Sequence, residues 1–207
     1  VALATAWFAW HASQVGIETS NASLDSREPE QVATNERFRA IFGSDEDLLL
    51  AVVHPQPLHP DGVRFLGELA DRIGRLDGVR QVFSLANAQQ IVTGDAGAEM
   101  APVVPPLDAP DFAERLRAVL DRNPDFTGLF VAADRATTGI LIEIEDRPGD
   151  TQFRGALIDA LRAAMDEMGR TSGVSLYLTG IAVQKHDVSA YIERDRVLLM
   201  PIAVAVL

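Results

Sequence analysis

The polar side chains that could do chemistry are few, and their spacing does not favour a catalytic or metal site. His54 and His59 enclose the residues Pro-Gln-Pro-Leu, and neither a cysteine nor an acidic cluster accompanies them. Because the two prolines prevent the one-turn helical spacing of a zinc-binding histidine pair, we interpret the segment as a loop after a strand. His186 and Asp187 could form a base and its orienting group, but no serine in a strained, glycine-flanked turn offers a nucleophile. A solvated helix is the simpler interpretation of that pair.

One acidic segment superficially resembles the start of a calcium-binding loop. From Asp121 to Asp125 the chain reads Asp-Arg-Asn-Pro-Asp. The sixth position of this segment is Phe126 instead of glycine, and the twelfth is Ala132 instead of glutamate. The end of a helix and a turn explain these residues better, and no glycine-rich phosphate loop occurs in the sequence. We therefore expect no catalytic residue, no metal and no cofactor.

Apolar side chains in an irregular stretch are better candidates for a functional site, because they could line a pocket. Residues 94–110 contain two glycines and four prolines, which predicts an excursion without regular structure. Apolar residues in or beside it need a partner, which could be the domain itself, a neighbouring domain or a lipid-like ligand. Several phenylalanines could join them, although most phenylalanines form the core. The predicted substrate-binding set is Ile91, Val92, Met100, Val103, Val104, Phe38, Phe42 and Phe112.

The hydrophobic pattern predicts an α+β framework for these residues. Residues 48–53 form a continuous apolar run, which predicts a strand buried on both faces. An amphipathic helix over about 61–76 and a strand over 79–85 complete one β-α-β unit. The remaining predicted elements are a short helix that opens at 28–30 and ends at Gly43, a helix over 111–122, a hairpin from 128–133 and 139–145, a helix over 150–168, a strand over 174–178 and a helix over 184–196.

The order of these elements predicts a ferredoxin-like, split β-α-β domain, with a helix and a loop inserted at about residues 91–123. In the second hairpin arm, Ile140, Ile142 and Ile144 alternate with other residues, so that one face of the strand is expected to be largely solvated. A fold of this kind hosts many activities and does not by itself specify a function.

The charge of the chain excludes some classes of partner. Eighteen basic residues against thirty acidic ones give a net charge of -12. Nucleic acids and anionic membrane surfaces are bound by clustered lysines and arginines, so neither is expected as a ligand. The chain contains no cysteine, which excludes a disulfide framework and thiol chemistry.

Both ends of the chain are uncharged and apolar. Residues 1–10 and 197–207 are each about half of the roughly 20 residues that a membrane-spanning helix needs. We interpret 1–13 as the end of a first transmembrane helix, 14–196 as the domain, and 197–207 as the start of a second transmembrane helix. A remnant signal peptide at the first end and a buried strand at the second are the alternatives. Trp7 and Trp10 favour membrane flanks, because indole rings prefer the membrane–water interface.

Three segments, in this order between apolar ends, resemble the resistance–nodulation–division (RND) superfamily of transporters. The first is Phe42-Gly-Ser-Asp-Glu-Asp-Leu-Leu-Leu-Ala-Val-Val53, and the second is Leu76-Asp-Gly-Val-Arg-Gln-Val-Phe-Ser-Leu85. The third is Thr179-Gly180 followed by Glu193-Arg-Asp195, Pro201 and an apolar run. The likeness covers essentially the whole chain and is greatest to the branch that exports hopanoids, sterols and mycolipids.

This resemblance implies the first periplasmic porter domain of a proton-driven permease in the bacterial inner membrane. The expected substrate is a hydrophobic lipid, and the expected partners are the second periplasmic loop of the same transporter, a periplasmic lipid carrier and the membrane at both termini. The alternative is a scaffold domain that contacts the carrier or the sister loop without binding substrate. An enzyme comes third, because nothing in the spacing brings acids and histidines into one cleft.

Overall fold

The computed structural model describes residues 47–94, 97–147, 150 and 152–206, together with positions 7, 30, 31, 33, 34, 37 and 41. The chain divides into two compact units, one made of residues 44–147 and 152–184 and the other of residues 1–43, 148–151 and 185–207. The described elements are, in chain order, β1 (Leu48–Val53), α1 (Pro60–Gly74), β2 (Val79–Ser84), a 3-10 turn (Leu85–Asn87), β3 (Gln89–Gly94), β4 (Gly97–Pro102), α2 (Phe112–Arg122), a helical turn (Phe126–Leu129), β5 (Thr137–Ile144), α3 (Phe153–Ser172), β6 (Ser175–Thr179) and α4 (Ile181–Val206).

The main sheet has the strand order β2-β5-β1-β6, and every pair of neighbouring strands is antiparallel. The sequence passes from β1 through α1 to β2 and from β5 through α3 to β6, so each helix connects two strands that are separated by one other strand. This is the ferredoxin-like, split β-α-β arrangement of the α+β class. The predicted fold is confirmed.

Helical periodicity explains how the two crossover helices cover the sheet. In α1 the buried residues include Val63, Leu66, Leu69 and Ile73, which recur every three or four positions and so share one face. Pro60 suits the first turn, where its missing N–H is not needed. At the other crossover, α3 ends at Gly173, whose φ of 68° is the left-handed conformation that commonly terminates a helix.

The sheet has one packed face, and β1 corrects one prediction. Leu48, Leu50 and Val52 are buried in the core, whereas Leu49 and Val53 are 40% and 39% exposed. The prediction that β1 is buried on both faces is therefore wrong. A continuous apolar run is typical of strands covered on both sides, but the core formed by the buried residues of α1 and α3 lies against one face of this sheet. In β5 the predicted alternation is confirmed, with Ile140, Ile142 and Ile144 buried.

The insertion contains a second, two-stranded sheet that the sequence did not predict. Within residues 94–110, which were expected to lack regular structure, β4 pairs with β3 from Gly94↔Gly97 to Gln89↔Pro102. The glycines lie at the turn of this hairpin, and Pro102 is its last residue. Turns and strand ends tolerate both residue types, because glycine adopts positive φ and proline there leaves no ladder bond unmade. The prediction of an irregular stretch is thus wrong for its first part.

Of the predicted hairpin arm over 128–133, residues 130–132 pair with 137–139 as expected, but the first part of the arm is wrong. The chain there forms the helical turn Phe126–Leu129, and Val131 makes an isolated antiparallel bridge with Thr138. Gly128 has a φ of 102°, and its N–H donates a hydrogen bond to the Val131 carbonyl oxygen over 2.7 Å. The segment therefore folds back on itself before it makes a short antiparallel contact with β5, in which the Gly139 N–H donates to the Phe130 carbonyl oxygen and the Ala132 N–H donates to the Thr137 carbonyl oxygen.

The last helix, α4, contains the polar stretch 184–196 that was predicted to be helical. Within the part of the chain that the structure describes, no helix is long and apolar enough to cross a membrane. Of residues 1–13 only position 7 is described. The assignment of both ends as membrane flanks stays a prediction.

Candidate functional site

The hairpin of β3 and β4 presents an apolar cross-strand pair to solvent. Ile91 lies directly opposite Met100, and these side chains are 74% and 64% exposed. Their neighbours on the same face are the exposed pairs Gln89↔Pro102 and Thr93↔Ala98. Among the described residues no element covers this outward face, which is therefore exposed apolar surface. A two-stranded ribbon is only marginally stable without a second layer.

The opposite face of the hairpin is attached to the body of the domain. Gln90 and Val92 are half-buried, and the Asn123 side-chain amide at the end of α2 donates a hydrogen bond to Gln90 Oε1 over 3.3 Å. At the base, the Val103 N–H donates to the Ala88 carbonyl oxygen over 2.9 Å. These contacts orient the ribbon, and so they determine which of its faces is free.

The structure separates the predicted substrate-binding residues into different environments. It brings Ile91 and Met100 together on the exposed face of the hairpin and leaves Val92 half-buried on the inner face. Val103 and Phe112 are buried in the hydrophobic core, and Val104 packs against that core from a half-buried position. Phe38 and Phe42 lie outside the described residues. Among the described members of the set, the pair on the hairpin is therefore the part that is most available to a ligand.

An apolar patch on the open face of the main sheet was missed by the sequence analysis. Leu49 lies opposite Leu141, and Phe83 lies opposite Leu141 on the other side. Tyr177 in β6 lies opposite Ala51 and is 62% exposed. The alternation of β5 was the available signal, because it indicated a sheet with two different faces. Because β1 was predicted to be buried on both faces, the exposure of apolar residues on the open face of the sheet was not predicted.

The polar cluster around Arg147 joins two segments of the fold and has the geometry of a structural contact. Arg147 donates two hydrogen bonds to the Asp77 carboxylate, over 2.7 and 2.9 Å, and one to Glu145 over 2.9 Å. Its guanidinium also lies over the Phe153 ring, 4.4 Å from the centroid. The hydrogen bond and charge of Arg147 lower the pKa of Asp77, and its two acidic partners raise the pKa of Arg147. The cluster fastens the turn after α1 to the segment between β5 and α3.

Two of the side chains considered for metal binding, His54 and Asp121, have other partners. The predicted loop at 54–59 is confirmed; in it the Gln56 N–H donates to His54 Nδ1 over 3.0 Å, and the imidazole lies 6.1 Å from the Phe65 ring. Asp121, the first residue of the calcium-like segment, forms an ion pair with Arg135. No group of three or more potential metal ligands occurs within the described residues.

Comparison with known proteins adds a family to this geometry. No curated protein matches the chain. The model of the MMPL family matches residues 34–207, which include both β-α-β units, the hairpin and α4. This match covers most of the chain and extends the resemblance carried by the three sequence segments. The chain belongs to the MMPL family, whose members are membrane transporters of the RND type.

Proposed function

We propose that this domain lies on the periplasmic substrate path of a proton-driven, inner-membrane transporter for uncharged lipids of the sterol or hopanoid type. The observation that carries the proposal is the exposed apolar pair of Ile91 and Met100 on the hairpin. In a transporter domain, an apolar surface that the fold does not cover is a natural contact for a hydrophobic substrate.

The chemistry of the hairpin suits a hydrocarbon ligand of variable shape. Met100 has an unbranched, polarisable side chain that adapts to irregular apolar surfaces. Ile91 opposite it adds a rigid, branched surface, and the Gln89 and Thr93 side chains on the same face could bond a hydroxyl group. The net charge of -12 disfavours anionic lipids, which supports a neutral amphiphile as substrate.

A binding titration tests this proposal. The 207-residue chain is titrated with a fluorescent sterol, a hopanoid and a neutral phospholipid. Replacing Ile91→Asn and Met100→Asn together removes two apolar contacts, each worth up to about 1.5–3 kcal/mol when fully buried. Since about 1.4 kcal/mol corresponds to a tenfold change in affinity, the double variant should raise the Kd for the bound lipid at least about tenfold.

The matched control is Ile181→Asn, since Ile181 is an exposed apolar residue on α4. This variant should retain the affinity of the unaltered chain. An equal loss of binding in the control and in the hairpin variant would refute the assignment of the hairpin. Saturable binding to none of the three lipids would instead favour the scaffold alternative, in which the same surface contacts a periplasmic carrier or the sister loop.

A further inference from the structure

The two edge strands of the main sheet differ in the features that prevent pairing with a further strand. The edge strands are β2 and β6. On β2, the exposed edge includes the charged Arg80, and the pairing register with β5 shifts between Val79 and Gln81. Charged side chains and register irregularities are two devices by which sheets prevent another strand from pairing with an edge. The β2 edge is therefore protected.

The β6 edge has neither device. Its sequence is Ser175-Leu-Tyr-Leu-Thr179, without charge, proline or glycine, and its register with β1 is regular throughout. Among the residues that the structure describes, β1 is the strand that pairs with it, and no strand pairs with its outer side. Residues 171–184 around it are also uncharged, although the whole chain carries a net charge of -12. An edge of this kind is a template for a further strand.

The order of side chains in β6 indicates which further strand would pair with this edge. Read in either direction, the strand has a hydroxyl residue, a leucine, a tyrosine, a leucine and a hydroxyl residue. When two copies of a strand pair antiparallel across a two-fold axis, each residue lies opposite the residue at the mirror position of the other copy. Such pairing therefore requires a strand that is complementary to its own sequence read in reverse. An uncharged surface also lets two strongly acidic chains approach without placing like charges opposite each other.

We propose that β6 pairs antiparallel with β6 of a second copy of this chain, with the two-fold axis at Tyr177. Ser175 then lies opposite Thr179, Leu176 lies opposite Leu178, and the two Tyr177 rings are neighbours on the open face. The four-stranded sheets of the two copies join into one continuous sheet of twice that size. This self-association is independent of the lipid proposal, because it uses a different strand from the hairpin.

Cysteine cross-linking tests the pairing and its register, since the chain has no cysteine of its own. In a directly opposed pair the Cβ atoms are about 4.5–5.5 Å apart, close to the separation of about 3.5–4.5 Å that a disulfide needs. On mild oxidation, Tyr177→Cys should form a covalent dimer at least about tenfold faster than Gln81→Cys. Gln81 is the matched control, because its side chain is exposed on the other, protected edge strand. Equal rates at both positions would overturn the proposal.

The register gives a second, independent criterion. Ser175→Cys and Thr179→Cys should each cross-link poorly alone, whereas an equimolar mixture of the two should cross-link readily, because position 175 of one copy opposes position 179 of the other. Efficient cross-linking of Ser175→Cys by itself would contradict this register. In sedimentation velocity, Tyr177→Lys should shift the chain to monomer and Gln81→Lys should not; a self-association unchanged by Tyr177→Lys would also overturn the pairing.

Discussion

The contact between Gly78 and Phe153 gives the sharpest prediction about the fold. Gly78 has a φ of 90°, and a Cβ atom at this position would overlap the Phe153 ring. In Gly78→Ala the backbone term is about 1–2 kcal/mol, because L residues disfavour the left-handed region. Forcing a methyl group against a packed ring adds about 1–3 kcal/mol. The sum predicts that the free energy of unfolding falls by about 2–5 kcal/mol.

A second glycine separates the two terms of this estimate. Gly173 also has a positive φ, of 68°, but a Cβ atom there would meet no atom within 4 Å. Gly173→Ala should therefore cost only the backbone term of about 1–2 kcal/mol. Urea unfolding of both variants and the unaltered chain, followed by circular dichroism, measures the difference. If Gly173→Ala is as destabilising as Gly78→Ala, the steric argument about Phe153 is refuted.

Two further substitutions test polar contacts. Because Arg147 lowers the pKa of Asp77, the ionised carboxylate stabilises the fold above its unfolded pKa of about 3.9, and this contribution disappears as the pH falls through the lower folded pKa. Asp77→Asn should therefore lower stability at pH 7 and weaken its dependence on pH below about 4, as urea unfolding at several pH values would reveal; an unchanged pH profile would contradict this. Asn87 accepts a hydrogen bond from the Ser84 N–H over 2.8 Å and donates one to the Val82 carbonyl oxygen over 2.7 Å. Asn87→Ala should cost about 1–3 kcal/mol in the same assay, because partly buried groups lose their partners; a change below about 0.5 kcal/mol would show that water replaces the side chain.

The ferredoxin-like order was predictable because the hydrophobic periodicity of each element, and the order of the elements, can be read from the local sequence. The three- and four-residue spacing of Leu66, Leu69 and Ile73 places them on one face of α1 whatever packs there. The two-residue alternation of Ile140 and Ile142 does the same for β5. Two strands joined by a helix, present twice, leave few topologies, and the observed strand order is one of them.

The errors concern properties that depend on distant residues. Whether Leu49 is covered depends on which side of the sheet α1 and α3 occupy, and the composition of β1 cannot report this. In the insertion, Gly94 and Gly97 were taken as signs of irregular structure, although the same glycines suit the turn of a hairpin. Pattern reasoning weighs such residues by type, whereas their effect depends on position within an element.

The predicted site shows the same limit. Ile91 and Met100 were selected because no predicted element accounted for them, but their direct pairing depends on the register of a hairpin that had not been predicted. Phe112 was selected by residue type alone, and its place on the inward face of α2 puts it in the core. The sequence therefore indicated which residues lacked an explanation, and the structure decided which of them remain accessible.

On the described surface of this domain, several charged groups pair with one another while some apolar side chains stay uncovered, which suits contact with apolar partners. Several of its acidic and basic groups form ion pairs between different elements, such as Arg72 with Glu167 and Arg147 with Asp77. Such exposed pairs each contribute little to stability, but they engage charges that a polar ligand would need. Two uncovered features, the Ile91–Met100 pair and the open sheet face, offer mainly dispersion and hydrophobic contact. Under the proposed function, a substrate that contacts this surface is distinguished by its shape and apolar area, which is the kind of selectivity that lipid transport requires.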